Sequence, residues 1–332
     1  WLMTSAANRR TSAALRQSEQ TVDLALQSLD GVVDMVSVPA NNISDVGLEE
    51  SAATTYSLNP SPHTAEVLQS IQPLYERLSQ QSPTRPDIVE QMIRATVRLA
   101  LIQRQLGQTS DAIESLQHGI EVLRTRGETA GLSKSESQLL MARLQNELGD
   151  VYAVELRFDE SEQAFDSALS AASDLAKSNT EGMLQLARAH VGLGDPPPQR
   201  RRIESQANKP PHQRRLHLRA ADELLETLHQ SNTNASQVVT LRARVRLAQS
   251  RIEKRPAAKR AVQTKLQRSE AATRLREALA ELETLQQQFP DTPIFGVSEV
   301  HIRHKLSNIV RTEKDFDEAN HQLQKAVAIQ ST

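Results

Sequence analysis

Apolar residues recur every three to four positions along most of this chain, the spacing that gives a helix one buried stripe. The pattern is densest from Gln145 to Leu169, where two stripes stand back to back. Leu148, Gly149, Tyr152 and Leu156 share a face of the first helix, and Ala164, Phe165, Ala168 and Leu169 a face of the second. Gly149 and Ala168 leave room for a neighbouring helix, while Tyr152 and Phe165 fill the space beside them. Asp159 and Glu160 open the second helix, where negative charge suits the positive end of its dipole. Such a hairpin cannot bury both faces alone, so it predicts further helices on either side.

The rest of the chain supplies them. A helix is predicted over 4–36, carrying Leu15, Val22, Leu26, Leu29, Val33 and Val36, and a loop over 39–63. Helices follow over 64–80, with Pro73 inside, over 87–106, closed by Gly107, and over 110–124. After the 135–153 and 159–176 pair comes a helix over 180–193. Residues 195–214 then read as a Pro/Arg-rich insertion without a core. Helices resume over 215–230, 238–252, 271–288, 298–310 and 316–329, with a basic, poorly patterned segment over 254–270. The periodicity does not fix how the helices between 238 and 288 register on one another.

Composition agrees with helix and narrows the chemistry. Only 3% of the 332 residues are aromatic, so Leu and Ala must build the core, and both are good helix formers. There is no cysteine, which removes disulfides and thiolate metal sites. No run of 18 apolar residues reads as a membrane span, and no signal-peptide pattern is found. The net charge of −2 conceals an asymmetry. Residues 199–276 hold 19 Lys/Arg against 6 Asp/Glu, a net of +13, and the remainder carries −15. That segment reads either as a solvated basic stretch or as a patch for a polyanion or anionic surface.

A pattern repeats through the hairpins. First helices carry Leu followed by a small residue: Leu99–Ala100, Leu148–Gly149, Leu186–Ala187 and Leu306–Ser307. Second helices carry Ala112, Leu116 and Gly119, then Ser161, Phe165 and Ala168, then Ala220, Leu224 and Thr227, then Ala319, Leu323 and Ala326. This resembles the tetratricopeptide repeat. The expected fold is therefore an all-α, irregular tetratricopeptide-like solenoid of helical hairpins with long basic insertions. LYERLSQQSP at 74–83 and LARAHVGLGD at 186–195 add a second likeness, to the C-terminal region of bacterial membrane-anchored serine/threonine protein kinases. By that resemblance a kinase domain and a membrane helix precede the repeats, which lie either outside the cytoplasm or within it. Trp1 in place of Met reads as part of a longer chain, and Trp1–Met3 with Arg9 and Arg10 reads equally as a membrane edge or a frayed terminus.

No catalytic constellation stands out. There is no glycine-rich phosphate loop, no HRD and no DFG. Glu160 and Glu162 read as solvated surface, and Tyr75, Tyr152, Phe165, Phe316 and His190 as packing residues. His301 and His304 share a face as metal ligands can, but only Glu299 accompanies them, so no metal or cofactor is expected. Tetratricopeptide arrays take peptides along their first helices. By resemblance the groove here would be Arg94, Arg104, Arg143, Asn146, Asp150, Arg188, His301, His304 and Asn308, a set suited to an acidic or extended peptide. The expected function is a non-catalytic scaffold for a protein or peptide partner. The alternative is polyanion binding through 199–276, which lacks any nucleic-acid motif and has no aromatic platform.

Overall fold

The computed structural model describes residues 62–82, 84–206, 212–231, 235–253, 261–288, 293–312 and 315–330. The helix expected over 4–36 and nearly all of the loop over 39–63 lie outside them. The described residues are all-α: twelve α-helices, one short 3-10 turn and no strand. They divide into two compact units at 140/141.

In the first unit α1 (Pro62–Gln81) packs on α2 (Pro86–Gln105), and α2 on α3 (Thr109–Arg126). Leu68, Tyr75, Ile88, Ile93, Leu99 and Leu116 are fully buried. Pro86 opens α2 at the position where a missing N–H costs nothing. The α2 C-terminus closes as the sequence predicts. Gly107 adopts φ 76°, its N–H bonds to the Arg104 carbonyl, and the Gln108 N–H reaches back to that of Gln103 at 2.8 Å. Ser133 and Glu136 form a reciprocal capping box ahead of α4 (Lys134–Val154): each side chain accepts from the other's backbone N–H, at 3.2 and 2.8 Å.

The second unit holds residues 141–154 of α4, then α5 (Phe158–Ala172), the 3-10 turn at Leu175–Lys177, α6 (Thr180–Gly194), α7 (Pro198–Gln206), α8 (His212–Gln230), α9 (Ala235–Glu253), α10 (Ala261–Gln288), α11 (Pro293–Thr312) and α12 (Phe316–Gln330). Helix α6 pairs with α8, α9 with α10, and α11 with α12. Each pair meets the next: α5 lies on α6, α8 on α9, α10 on α11, and α6 touches α9, which touches α11. The reason is visible in α9. Val238, Leu241, Val245 and Ala248 join one cluster with α6 and α8, while Val239, Ala243 and Leu247 join another with α10, α11 and α12. A helix with two apolar faces must be covered on both sides. This supplies the register over 238–288 that periodicity alone leaves open.

Glycine sets the spacing at the opening hairpin. A Cβ on Gly149 would stand 2.8 Å from the Phe165 ring, and one on Gly192 only 2.4 Å from it. The ring of α5 therefore fills the place where α4 and α6 carry no side chain. The Ser161 hydroxyl donates to the Gly149 carbonyl at 2.8 Å, fixing the crossing.

Several expectations are corrected. Leu156 lies past the end of α4, half exposed, at φ 60°, rather than on its apolar face. It occupies the left-handed position that Gly107 fills elsewhere, with the Arg157 N–H bonded to the Tyr152 carbonyl at 2.9 Å. On α8 the buried residues are Leu218, Ala221, Leu225 and Leu228, the last three one step on from the Ala220, Leu224, Thr227 register. Leu323 and Phe316 are exposed, because nothing among the described residues covers the outer face of α12. The insertion is not structureless: Pro198–Gln206 is helical. Helix α10 starts ten residues early, at Ala261, because Ala, Gln, Lys and Leu there are good helix formers downstream of Pro256.

Two substitutions test this packing through the midpoint of thermal unfolding. Gly149→Ala should cost about 1–3 kcal/mol and Gly149→Leu more, since the Phe165 ring cannot retreat from a well-filled contact. An unchanged midpoint for both would contradict the close approach. Leu156→Gly should stabilise by up to about 1 kcal/mol, because it removes a Cβ from a left-handed residue. A lower midpoint would show that Leu156 contributes contacts that outweigh its strain.

Candidate functional site

The expected groove residues fall into distinct environments. Arg94 is exposed on α2 and bonds to Glu90 one turn before it, at 2.6 Å. Arg104 is half-buried in the last turn of the same helix. His304 and Asn308 lie one turn apart on α11, with Nδ1 of the histidine 3.5 Å from Nδ2 of the asparagine, and Asn308 Oδ1 is 3.5 Å from Nη2 of Arg311. The side chain of His301 lies outside the described residues.

Four of the nine converge. Arg143, Asn146 and Asp150 recur along one face of α4, and Arg188 lies opposite on α6. Arg188 donates from Nη1 to Glu147 at 2.6 Å and from Nη2 to Asp150 at 2.9 Å. Asn146 is fully buried and its Nδ2 donates to both the backbone and the side-chain oxygen of Gln185 at 3.0 Å. Arg143 reaches Glu181 at 2.8 Å, and Glu181 also accepts from Gln185 Nε2 at 3.0 Å. The Asn179 side chain caps the start of α6 by accepting from the N–H groups of Glu181 and Gly182, which holds Glu181 in place. These residues form a polar seam between two helices. Arg188 is only 9% exposed, so its charge is neutralised by protein rather than by water.

Sequence reasoning missed Glu147, Glu181 and Gln185, the partners in this seam. The signal was available: residues 143, 146, 147 and 150 form a polar stripe at helical spacing, and 181, 185 and 188 form a second. Two polar stripes on helices that are otherwise buried require one another.

The same device recurs in the basic segment. Arg242 pairs with Glu226 at 2.6 Å and Glu281 at 3.4 Å. Arg246 pairs with Glu281 at 2.8 Å and Glu277 at 3.6 Å. Buried Asp195 receives Arg201 at 3.0 Å and Arg244 at 3.7 Å, and Arg200 spans Asp159 and Glu162 at 3.3 Å each. Arg276 meets Glu318 at 2.6 Å. On α11, buried Arg303 bonds to Glu299 at 2.7 Å, to Gln322 at 2.6 Å and to Glu283. Among the described residues of 199–276, Arg200, Arg201, Arg242, Arg244, Arg246 and Arg276 are thus matched by carboxylates, most of them from outside the segment. Arg202, Arg215 and Arg219 are exposed.

The residues read as packing residues behave variously. Tyr75, Tyr152 and Phe165 are buried, and Arg157 stacks over the Tyr152 ring at 4.5 Å. Glu160 accepts from Arg157 at 3.1 Å. His190 is half-buried and meets His217 of α8, Nδ1 to Nδ1, at 2.9 Å. Burial, then the neighbouring His217, hold His190 down to about 4; burial also lowers His217, partly offset by Asp166 and Glu162.

Among the described residues no cluster of three or more His, Asp or Glu is arranged to hold a metal ion, and no helix is long and apolar enough to cross a membrane. No protein-family model matches the chain, and no curated protein matches it.

The seam makes a sharp energetic contrast. Arg188→Ala should cost about 3–5 kcal/mol, because it strands Glu147 and Asp150 away from water. Arg94→Ala should cost less than about 1 kcal/mol, its partner being solvated. Urea unfolding checks both, and equal shifts of the midpoint would contradict the burial of the Arg188 charge.

Proposed function

We propose that this chain is a non-catalytic, tetratricopeptide-like scaffold that holds a protein or peptide partner. The observation that carries the reading is the sequence of helix contacts in the second unit, where each antiparallel pair meets the next and first helices α6, α9 and α11 touch in turn. Stacked helical pairs of this kind form arrays that take an extended ligand along successive helices, and on α11 His304 is exposed. By its resemblance to bacterial serine/threonine kinase C-terminal regions, the chain is the sensory or docking region of a signalling protein of that kind.

The scaffold reading is favoured over polyanion binding by the pairing of Arg200, Arg201, Arg242, Arg244, Arg246 and Arg276 with carboxylates. A guanidinium already holding a carboxylate releases fewer counterions when it meets a phosphate. The burial of Arg143, Asn146, Asp150 and Arg188 makes them support for the helices that present a ligand. In the second unit the accessible probes of the expected groove are His304 and Asn308.

Two variant sets separate the readings: His304→Glu with Asn308→Glu, and Arg202→Ser with Arg215→Ser and Arg219→Ser. The assay is an array of Asp/Glu-rich decapeptides beside a heparin column. The expected outcome is peptide capture that falls at least roughly tenfold with the first set and is unmoved by the second, a loss of the size that one or two buried charge pairs give. Heparin retention that falls steeply with salt and is abolished by the second set, without peptide capture, would overturn the scaffold reading in favour of the polyanion one.

A further inference from the structure

We propose that the His190–His217 contact is an acid-sensitive latch, closing α8 onto α6 while at least one imidazole is neutral and releasing it when both are protonated. The geometry carries this. The two Nδ1 atoms are 2.9 Å apart, with ring centroids at 5.2 Å and planes at 43°. A hydrogen bond between two imidazole nitrogens needs one N–H and one lone pair. The neutral pair supplies both, through opposite tautomers, and so does the singly charged pair. The doubly charged pair places two N–H groups and two positive charges face to face.

The contact sits in an otherwise apolar interface, where Leu184, Ala187 and Val191 of α6 pack with Leu218, Ala221 and Leu225 of α8. The elements packed about α6 and α8 carry these charged groups. Helix α5 offers Glu162 and Asp166, both acting on His217. Helix α7 offers Arg200, which holds Glu162 at 3.3 Å and moderates its charge. At the end of α6, Asp195 is held by Arg201 and by Arg244 of α9, while Arg214 of α8 donates to the Gly194 carbonyl at 3.2 Å. From α4 come Glu147 and Asp150, both engaged by Arg188.

The direction of the pH effect follows. Both imidazoles titrate lower in the fold than the ordinary 6.5, His190 at about 4. Between those values the unfolded chain binds more protons than the folded one, so stability is full above about pH 6.5 and falls as the pH drops toward 4. For His190 alone that shift weakens the closed state by up to roughly 300-fold at the acid end. The two groups titrate as a pair. The latch is independent of which partner the scaffold binds.

Amide hydrogen exchange on the full chain at pH 7.5 and 4.5, corrected for intrinsic exchange, reads the latch directly. In the wild type, protection should fall at least tenfold at pH 4.5 in residues 187–194 and 214–222 beyond any change in α11 and α12. In His190→Leu/His217→Leu, an apolar pair that does not titrate, that local loss should disappear. Equal losses in wild type and variant, or no local loss, would overturn the proposal. Should the variant not fold, long-range nitrogen–proton spectra of the wild-type imidazoles decide. One Nδ1–H and one Nε2–H tautomer titrating below 6.5 support the latch, and two independent titrations at 6.5 refute it.

Discussion

The Phe165 ring, lodged against two backbones that lack side chains, sets the distances among three helices. Gly149 on α4 and Gly192 on α6 each present bare backbone to it, so α5 can approach both. The neighbouring contacts follow from that approach. Ser161 reaches the Gly149 carbonyl only because the helices are close, and α4 faces α6 closely enough for Arg188 to meet Glu147 and Asp150. Close packing of this sort has two discrete outcomes, fitted or clashing, rather than a gradual one. The local chemistry of the second unit therefore begins with a steric fact.

Burial then imposes an electrostatic one. Helix α9 is covered on two sides by apolar clusters, and the arginines between those faces have little access to water. An ionised group taken out of water must be matched, or the desolvation cost exceeds what folding supplies. Glu226, Glu277 and Glu281 match Arg242 and Arg246, and Asp195 matches Arg244 and Arg201. Arginines that look like a basic surface in one dimension, Arg242, Arg244 and Arg246 among them, are internal ion pairs in three.

That contrast marks what could be read in the sequence. The helices, the α2 cap at Gly107 and the small residues of the opening hairpin were legible, since each depends on neighbours within a few positions. Helix faces were legible to within one residue: the spacing points to Ala220 where Ala221 is buried, because both sit at the right spacing from a leucine. Leu156 was misplaced because its stripe continues through a turn that only backbone conformation reveals. Of the seam around Arg143, Asn146, Asp150 and Arg188 only the two polar stripes were legible; which residue meets which was not, because the partners lie 38 to 41 residues away. The pairing of His190 with His217 across the insertion escaped for the same reason.

The charged seams answer a difficulty that a Leu- and Ala-rich core creates. Stripes of similar apolar residues fit one another almost equally well after sliding a full helical turn, about 5.4 Å. A slip of that size on α6 would keep Leu184, Ala187 and Val191 against apolar neighbours, at modest cost. It would also carry Arg188 away from both carboxylates and separate Asn146 from Gln185, leaving several buried polar groups without partners. Each such group costs about 1–3 kcal/mol, more when charged. The sum exceeds what a slipped apolar stripe could recover, so the polar seam selects the register even where it adds little net stability. A buried ion pair is a poor source of stability but a strong penalty on misalignment, and in a fold with few large aromatics to act as keys that penalty defines which residues of successive helices meet.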